Sequence, residues 1–595
     1  MKTIQRISIF LILSLVLILN CAVFAADEEV CHRDSFFPKI GNCGYDTTHY
    51  DLNLAWDDTA DTLTGHVVIS LNALWDASEI TLDFTNIYTI SSVTVDGIPA
   101  EYKNENEKLT VSGHFVHDSL YKIGVDYSGK NQVSSFVMDD DQKKDLAGKP
   151  MCTLLEPIVA HQYYPCNDIP ADKATYSIAV TVPSKYIPAS IGSLVEIVQA
   201  DGTSVVPDEK TLADYKPTGD IVTWKYEAKE PLASYLFTVC IGDFEVTQHQ
   251  EESGTVQTNF VARNFEDKED INRLFGLQED MKKCFEHYTG TAYPYQVSGG
   301  IVIDQKLYAA IETQSRSLYD EIEHSETIFA HEIGHQWVGD MISLSDWSDV
   351  WIKEGWASYA QALWEKCAGR PDGYTDNLRQ NYERVVNTGF RKIPAKDYGD
   401  RYISDNDKEL KAASLTVSQI EEVLPSICDK KIDQEKLNAD LSELAAKGPI
   451  DGIAFWNMVP KYCDNVIVNV EQINNLRKLF GIEETDSKSE ELVGPKETSN
   501  NLDSMYGAGA YAGGSLVYYV LNHELGDEVF IKGMQLMLER YKYGTINTQE
   551  FIDCFSEAAG RDLTEFLHPW LYYNGNVPDL PEIETNQEAS WNSKK

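Results

Sequence analysis

The stretch His331-Glu332-Ile333-Gly334-His335 constrains this 595-residue chain more than any other part of it. Residues four apart on an α-helix share one face, so a helix here sets the two imidazoles side by side and lets Glu332 lean over them. After eighteen intervening residues, His335 is followed by Glu354, within Trp351-Ile352-Lys353-Glu354-Gly355-Trp356. That interval lets the first helix end, the chain turn, and a second helix return with its carboxylate aimed at the imidazoles. Two consecutive helices are therefore expected, over 326–338 and 353–366. Two histidines and a glutamate suit zinc, and three protein ligands leave a fourth position for water, as in a catalytic rather than a structural site. Zinc lowers the pKa of bound water towards about 7. Glu332 then stands where a general base takes that proton and later gives it to a leaving amine. A helix with two unremarkable histidines is the bland alternative, and Glu354 argues against it.

The rest of the chain divides by pattern. From Tyr45 to about Phe244 the text alternates apolar and polar residues, as in Tyr50-Asp51-Leu52-Asn53-Leu54 and Gly65-His66-Val67-Val68-Ile69. Ala179–Pro183 and Tyr235–Val239 read as β-branched or aromatic strands, and Asp96-Gly97 and Asp201-Gly202 as turns. After about Glu251 the spacing becomes helical, over 270–287, 515–525 and 528–541 as well as the two helices above. The expected fold is multidomain, β plus mainly α: an all-β domain over 26–248, then a mostly helical domain over 249–585, then a tail over 586–595.

Residues 1–25 read as a cleaved secretory signal. Lys2 and Arg6 precede the apolar run Ile7–Leu19, and small residues follow at Ala22, Ala25 and Ala26. The run is shorter than the roughly 20 apolar residues a spanning helix needs, so stable membrane insertion is not expected and secretion is. Of eleven cysteines, Cys21 leaves with the signal. Disulfides are then permitted, and Cys31–Cys43, Cys152–Cys166 and Cys428–Cys463 are plausible short-range pairs, although sequence does not fix connectivity. No CxxC occurs. The formal net charge of −44 disfavours nucleic acid and anionic membranes as partners.

The motif with its continuation, Gln336-Trp337-Val338-Gly339-Asp340, then Trp347-Ser348-Asp349-Val350-Trp351 and Glu354-Gly355, resembles the gluzincin aminopeptidases, the family of alanyl aminopeptidase and leukotriene hydrolase. Tyr164-Pro165-Cys166-Asn167-Asp168 and Ile241-Gly242-Asp243-Phe244 resemble that family's amino-terminal domain, and His568-Pro569-Trp570-Leu571 the close of its catalytic domain. The resemblance implies a saddle-like all-β domain, a thermolysin-like catalytic domain, one zinc ion per chain held by His331, His335 and Glu354, and peptide substrates with a free amino terminus. It also implies that Glu312, in Ala309-Ala310-Ile311-Glu312-Thr313, and Glu156, ten residues before Cys166, hold the substrate's ammonium group. Acids beside the metal would fix the first residue at the scissile bond. Tyr511, before Ala512-Gly513-Gly514, is the implied oxyanion partner, with Tyr506 as runner-up.

Two features depart from the family. The interval from Glu354 to Tyr511 is long and implies an insertion over about 395–485. Lys353 stands where the family usually carries Asn: turned inward it would disfavour the metal, turned outward it would do nothing. The large helical carboxy-terminal domain of many relatives is not expected. Against the aminopeptidase reading stand a thermolysin-like endopeptidase, which leaves Glu156 and Glu312 unexplained, and a secreted, catalytically silent binding protein.

Overall fold

The computed structural model describes residues 34–130, 151–208, 212, 215–307, 309–321, 324–389, 391–394, 403, 408–428, 430–463, 465–468, 476, 478–481, 505–572 and 577–583. The signal read at 1–25, Cys31 and the tail at 586–595 lie outside these. The chain folds as two compact units. One comprises the described residues up to Trp347 together with Ile531–Ala558, and the other Ser348–Phe530 with the described residues from Ala559 onward. No helix among the described residues is long and apolar enough to cross a membrane.

The first unit begins with a nine-stranded sheet. Its order is Ser204–Val205, Ser193–Gln199, Ile221–Leu232, Ala174–Pro183, Tyr45–Asp57, Thr62–Ala73, Leu120–Lys130, Thr89–Val95 and Ile98–Pro99. The alternation read from the sequence is the cause: Tyr50, Leu52, Leu54 and Trp56 project to one face of their strand and are buried. Each such side chain contributes on the order of 1.5–3 kcal/mol by leaving water. Asp96-Gly97 makes the expected hairpin turn, both residues at positive φ. Tyr235–Val239 is a correction: Ser234–Leu236 is a 3₁₀ turn, and only Val239–Gly242 is a strand.

A second sheet of four strands follows, Phe244–Gln250, Val256–Ala262, Val297–Val302 and Ser317–Tyr319. The first pairing is antiparallel and the other two are parallel. The parallel pairs need a long crossover, and helix α1 (Lys268–Thr289) supplies the first. Asp267 caps its amino end, and Gly290 ends it at φ 64°. The last strand leads into helix α2 (Glu326–His335). That helix is three residues shorter than the spacing suggests, because the chain turns after Gln336 and passes through Gly339 at φ 130°.

One cysteine pairing is also corrected. Cys152 bonds to Cys240, and Cys166 is a buried free thiol. The backbone decides this. Met151 O accepts from Ile241 N and Val239 O from Thr153 N, which sets Cys152 opposite Cys240, whereas Cys166 lies opposite Asp83. Cys428–Cys463 forms as expected.

In the second unit, helix α3 (Trp351–Cys367) packs with helix Pro371–Gly389 and with the start of helix α4 (Gly514–Arg540). Gly526, at φ 74°, breaks α4 between the two helical stretches read from the sequence. Described residues between 403 and 480 gather a core of their own, with Leu410, Ile420, Leu424, Leu441, Phe455, Trp456 and Phe480 buried together.

Candidate active site

Helix α2 is started by Ser325, whose hydroxyl accepts from Ile328 N at 3.3 Å. It buries His331, Glu332 and His335, at 9%, 5% and 1% exposure. The two imidazoles meet as their spacing requires. His335 Nε2 lies 3.2 Å from His331 Nε2, with the rings nearly perpendicular. His335 Nδ1 lies 3.2 Å from Val338 O, an acceptor for the Nδ1 proton. That hydrogen bond fixes the tautomer and leaves Nε2 a lone pair. Two ring nitrogens so placed fit a shared divalent cation such as zinc. Gly339 makes room: a Cβ there would sit 3.0 Å from His335 Nδ1.

Glu312 and Glu156 come to the same place within the first unit. Glu312, Glu332 and His335 each offer a donor atom within 4.8 Å of the others, and Glu156 and Glu312 approach one another equally closely. Both acids are buried. Glu312 opens a tight loop between Ile311 and Leu318, whose backbones exchange hydrogen bonds of 2.9 and 2.8 Å. Glu156 follows the segment pinned to Val239–Gly242 by the Cys152–Cys240 disulfide and by Thr153, whose Oγ1 accepts from Val239 N at 2.9 Å.

Two side chains hold the Glu312 loop, and their roles are not evident from sequence. Arg316 is fully buried and donates to Thr258 O at 3.2 Å, Ser190 O at 2.9 Å and Gly192 O. Burial pushes its guanidinium down to about 10. Gln336, one residue beyond α2, bonds to the loop backbone from the other side. Behind the site Tyr319 stacks on Phe329 at 4.0 Å. Burial, and then the charge of Glu332, raises its phenol well above the usual range.

Glu354 and Tyr511 belong to the second unit. Glu354 lies in the first turn of α3 and is 3% exposed. Lys353, whose direction the sequence leaves open, is turned inward: its Nζ lies 2.6 Å from Glu354 Oε1, and both are buried, the orientation that on charge alone weighs against a metal at Glu354. Tyr511 is half-buried on a π-helical turn, Gly509–Gly513, and Tyr506, also half-buried, precedes that turn. Gly514, which follows the turn, packs directly on α3. A Cβ on Gly355 would stand 2.5 Å from the Gly514 carbonyl carbon. Tyr511 and Glu354 therefore lie on adjoining turns of backbone.

Two sequence models match this chain. The Peptidase M1 N-terminal domain matches residues 46–218, and the Peptidase family M1 domain matches 275–392 and 456–570. Together they cover more than half of the chain, which belongs to peptidase family M1. Residues 393–455 fall between the matched parts of the second model. Aminopeptidase N of Lactobacillus delbrueckii subsp. lactis is 21% identical over 533 residues, covering 88% of this chain and 50% of that protein. Glutamyl aminopeptidase of Homo sapiens is 26% identical over 347 residues, covering 53% and 34%. The chain thus spans about half or less of the length of these curated relatives. The crystal structure of an M1 zinc metallopeptidase from Deinococcus radiodurans shares its fold, with a TM-score of 0.63 and 19% identity over 93% of this chain and 99% of that one. A mutant of that metallopeptidase bound to a Tyr-Ser-Ala substrate gives a TM-score of 0.64 at 19% identity, over 93% of this chain and 100% of that one.

Proposed function

We propose that this chain is a zinc-dependent aminopeptidase that hydrolyses the first peptide bond of substrates with a free amino terminus. The observation that carries the reading is the buried group formed by His331, His335, Glu332, Glu312 and Glu156 in one unit: an imidazole pair suited to a metal, next to more carboxylates than a metal needs. In this assignment His331, His335 and Glu354 hold one zinc ion per chain, which acidifies a water and polarises the scissile carbonyl when bound.

The remaining roles belong to the chain's own side chains. Glu312 and Glu156 accept charge-assisted hydrogen bonds from the substrate's ammonium group, which is strongly held where water is excluded. That contact sets the first residue, and so the first peptide bond, beside Glu332. Glu332 takes a proton from the attacking water and returns it to the leaving nitrogen. The Tyr511 hydroxyl donates to the oxygen that becomes negative as the carbonyl turns tetrahedral. A thermolysin-like endopeptidase would have no use for the buried acids at Glu312 and Glu156.

Amino-acid arylamides, free and N-acetylated, test the reading with and without a chelator. The free forms are expected to be cleaved and the acetylated ones spared, with activity lost to the chelator and restored by zinc. Glu332→Gln is expected to keep its zinc and to lose roughly 10²–10⁴-fold in kcat. Equal cleavage of acetylated substrates would refute the assignment of Glu312 and Glu156.

A further inference from the structure

A single buried amide joins the backbone of Glu312 to the backbone of Glu332. Gln336 is 2% exposed. Its Oε1 accepts from Ser315 N at 2.7 Å, and its Nε2 donates to Glu312 O at 3.2 Å and to Glu332 O at 3.4 Å. The loop it grips is not relaxed by itself. Ser315 sits at φ 68°, in the left-handed region that a residue with a Cβ rarely occupies. Ser315 Oγ accepts from Gly192 N at 3.0 Å, and Arg316 ties the next residue to Ser190, Gly192 and Thr258. The loop is therefore fixed on its far side by Arg316 and on its near side by Gln336. Of these two clamps, Gln336 is the one that touches the helix carrying the two histidines and Glu332, where Ser317 Oγ adds a longer bond to Glu332 O at 3.5 Å.

We propose that Gln336 is a positioning residue that sets the separation between Glu312 and Glu332. It thereby fixes where a substrate's ammonium group stops relative to the base. This rests on the reading of Glu312 as an ammonium anchor. The chemistry requires an amide of this length. One end must accept from an N–H while the other donates to two carbonyls, and of the side chains of that reach only glutamine offers both. Without it, Ser315 N–H and two carbonyls each lose a buried partner, and the loop is held to the helix less firmly, with Ser317 Oγ still donating to Glu332 O at 3.5 Å. A shift near 1 Å at such an anchor is enough to cost about 10²-fold in rate.

The test uses two zinc-binding inhibitors that differ only in the amino group, alanine hydroxamate and propionohydroxamate, on the zinc-loaded full chain. In Gln336→Met the affinity advantage of the amino compound is expected to fall about tenfold or more, the loss of roughly one charge-assisted bond. Binding of propionohydroxamate and zinc content should stay within about threefold of the parent. Gln336→Glu, which keeps the acceptor for Ser315 N but loses the donor, should show the same direction with a smaller loss. An unchanged ratio in both variants, or equal loss of both inhibitors, overturns the proposal. Glu312→Gln separates the two ideas. If it leaves the ratio unchanged, Glu312 is not the anchor; if it abolishes the advantage while the Gln336 variants do not, only the positioning role fails.

Discussion

Helices α2 and α3, which carry the proposed metal ligands, belong to different units and are fixed by different forces. Around α2 the work is directional. Gln336 accepts from Ser315 N and donates to Glu312 O, Arg316 donates to Ser190 O, His335 is held against Val338 O, and Lys173 Nζ donates to Asp340 O at 2.7 Å and Met341 O at 3.0 Å. Around α3 the work is steric and Coulombic. Gly355 and Gly514 bring backbones into contact, Tyr518 donates to Ile352 O at 2.9 Å among buried Trp351, Trp356 and Tyr359, and Lys353 neutralises Glu354. A hydrogen-bonded imidazole must be aimed within tens of degrees, so its surroundings need donors and acceptors of fixed geometry. A carboxylate at the start of a helix is already aimed by that helix, and what it needs is close approach and a counter-charge.

The largest test of this contrast is Lys353→Met. It leaves Glu354 buried without its cation, which costs about 3–5 kcal/mol when one partner of a buried ion pair is removed. Urea unfolding in a chelator should show that loss, and added zinc should recover part of it by supplying the same carboxylate with a counter-charge. A neutral effect would mean that α3 does not depend on the pair. Next comes Gly355→Ala, whose methyl meets the Gly514 backbone. The expected loss is about 1–3 kcal/mol, the range for overpacking. It should be independent of metal and salt, read from the same unfolding curves. The third test lies on the α2 side and spreads its effect over several pH units. Burial pushes Lys173 down from 10.5 to about 7. Unfolding restores its ordinary value, so the folded chain carries the whole charge penalty below pH 7 and sheds it as pH rises from 7 towards 10.5. The parent should therefore gain stability over that interval relative to Lys173→Met, with a slope of at most about 1.4 kcal/mol per pH unit. Parallel pH profiles for the two proteins would remove Lys173 from the account.

Much of this was legible before any coordinates. Alternation over Tyr50–Trp56 and four-residue spacing at His331 and His335 reflect periods that backbone geometry imposes, so they survive whatever surrounds them. What escaped depends on partners distant in the chain. Gln336 looks like any polar residue after a helix until the Glu312 loop, more than twenty positions earlier, folds against it. Lys353 reads equally well inward or outward, because spacing along a helix does not say which turn will be covered. Cys152 stands fourteen residues from Cys166, yet bonds to Cys240 across a backbone pairing that proximity in sequence does not reveal. Tyr235–Val239 has the composition of a strand and the hydrogen bonding of a turn, since Phe237 N reaches back to Ser234 O at 3.3 Å.

The first unit borrows Ile531–Ala558 from far along the chain, and this orders events during synthesis. Ser343–Leu344, the strand just beyond the histidine helix, pairs with Thr545–Ile546. Lys173 also reaches Gly544 O. At about 5–20 residues per second, some 10–40 s separate the two strands at the ribosome, and some 20–75 s separate Lys173 from Gly544. Until then the residues that will enclose both imidazoles wait without their closing strand. Truncation anywhere before residue 531 would strip the amino-terminal unit of a piece of itself, and that unit therefore has no natural stopping point short of the distal helices.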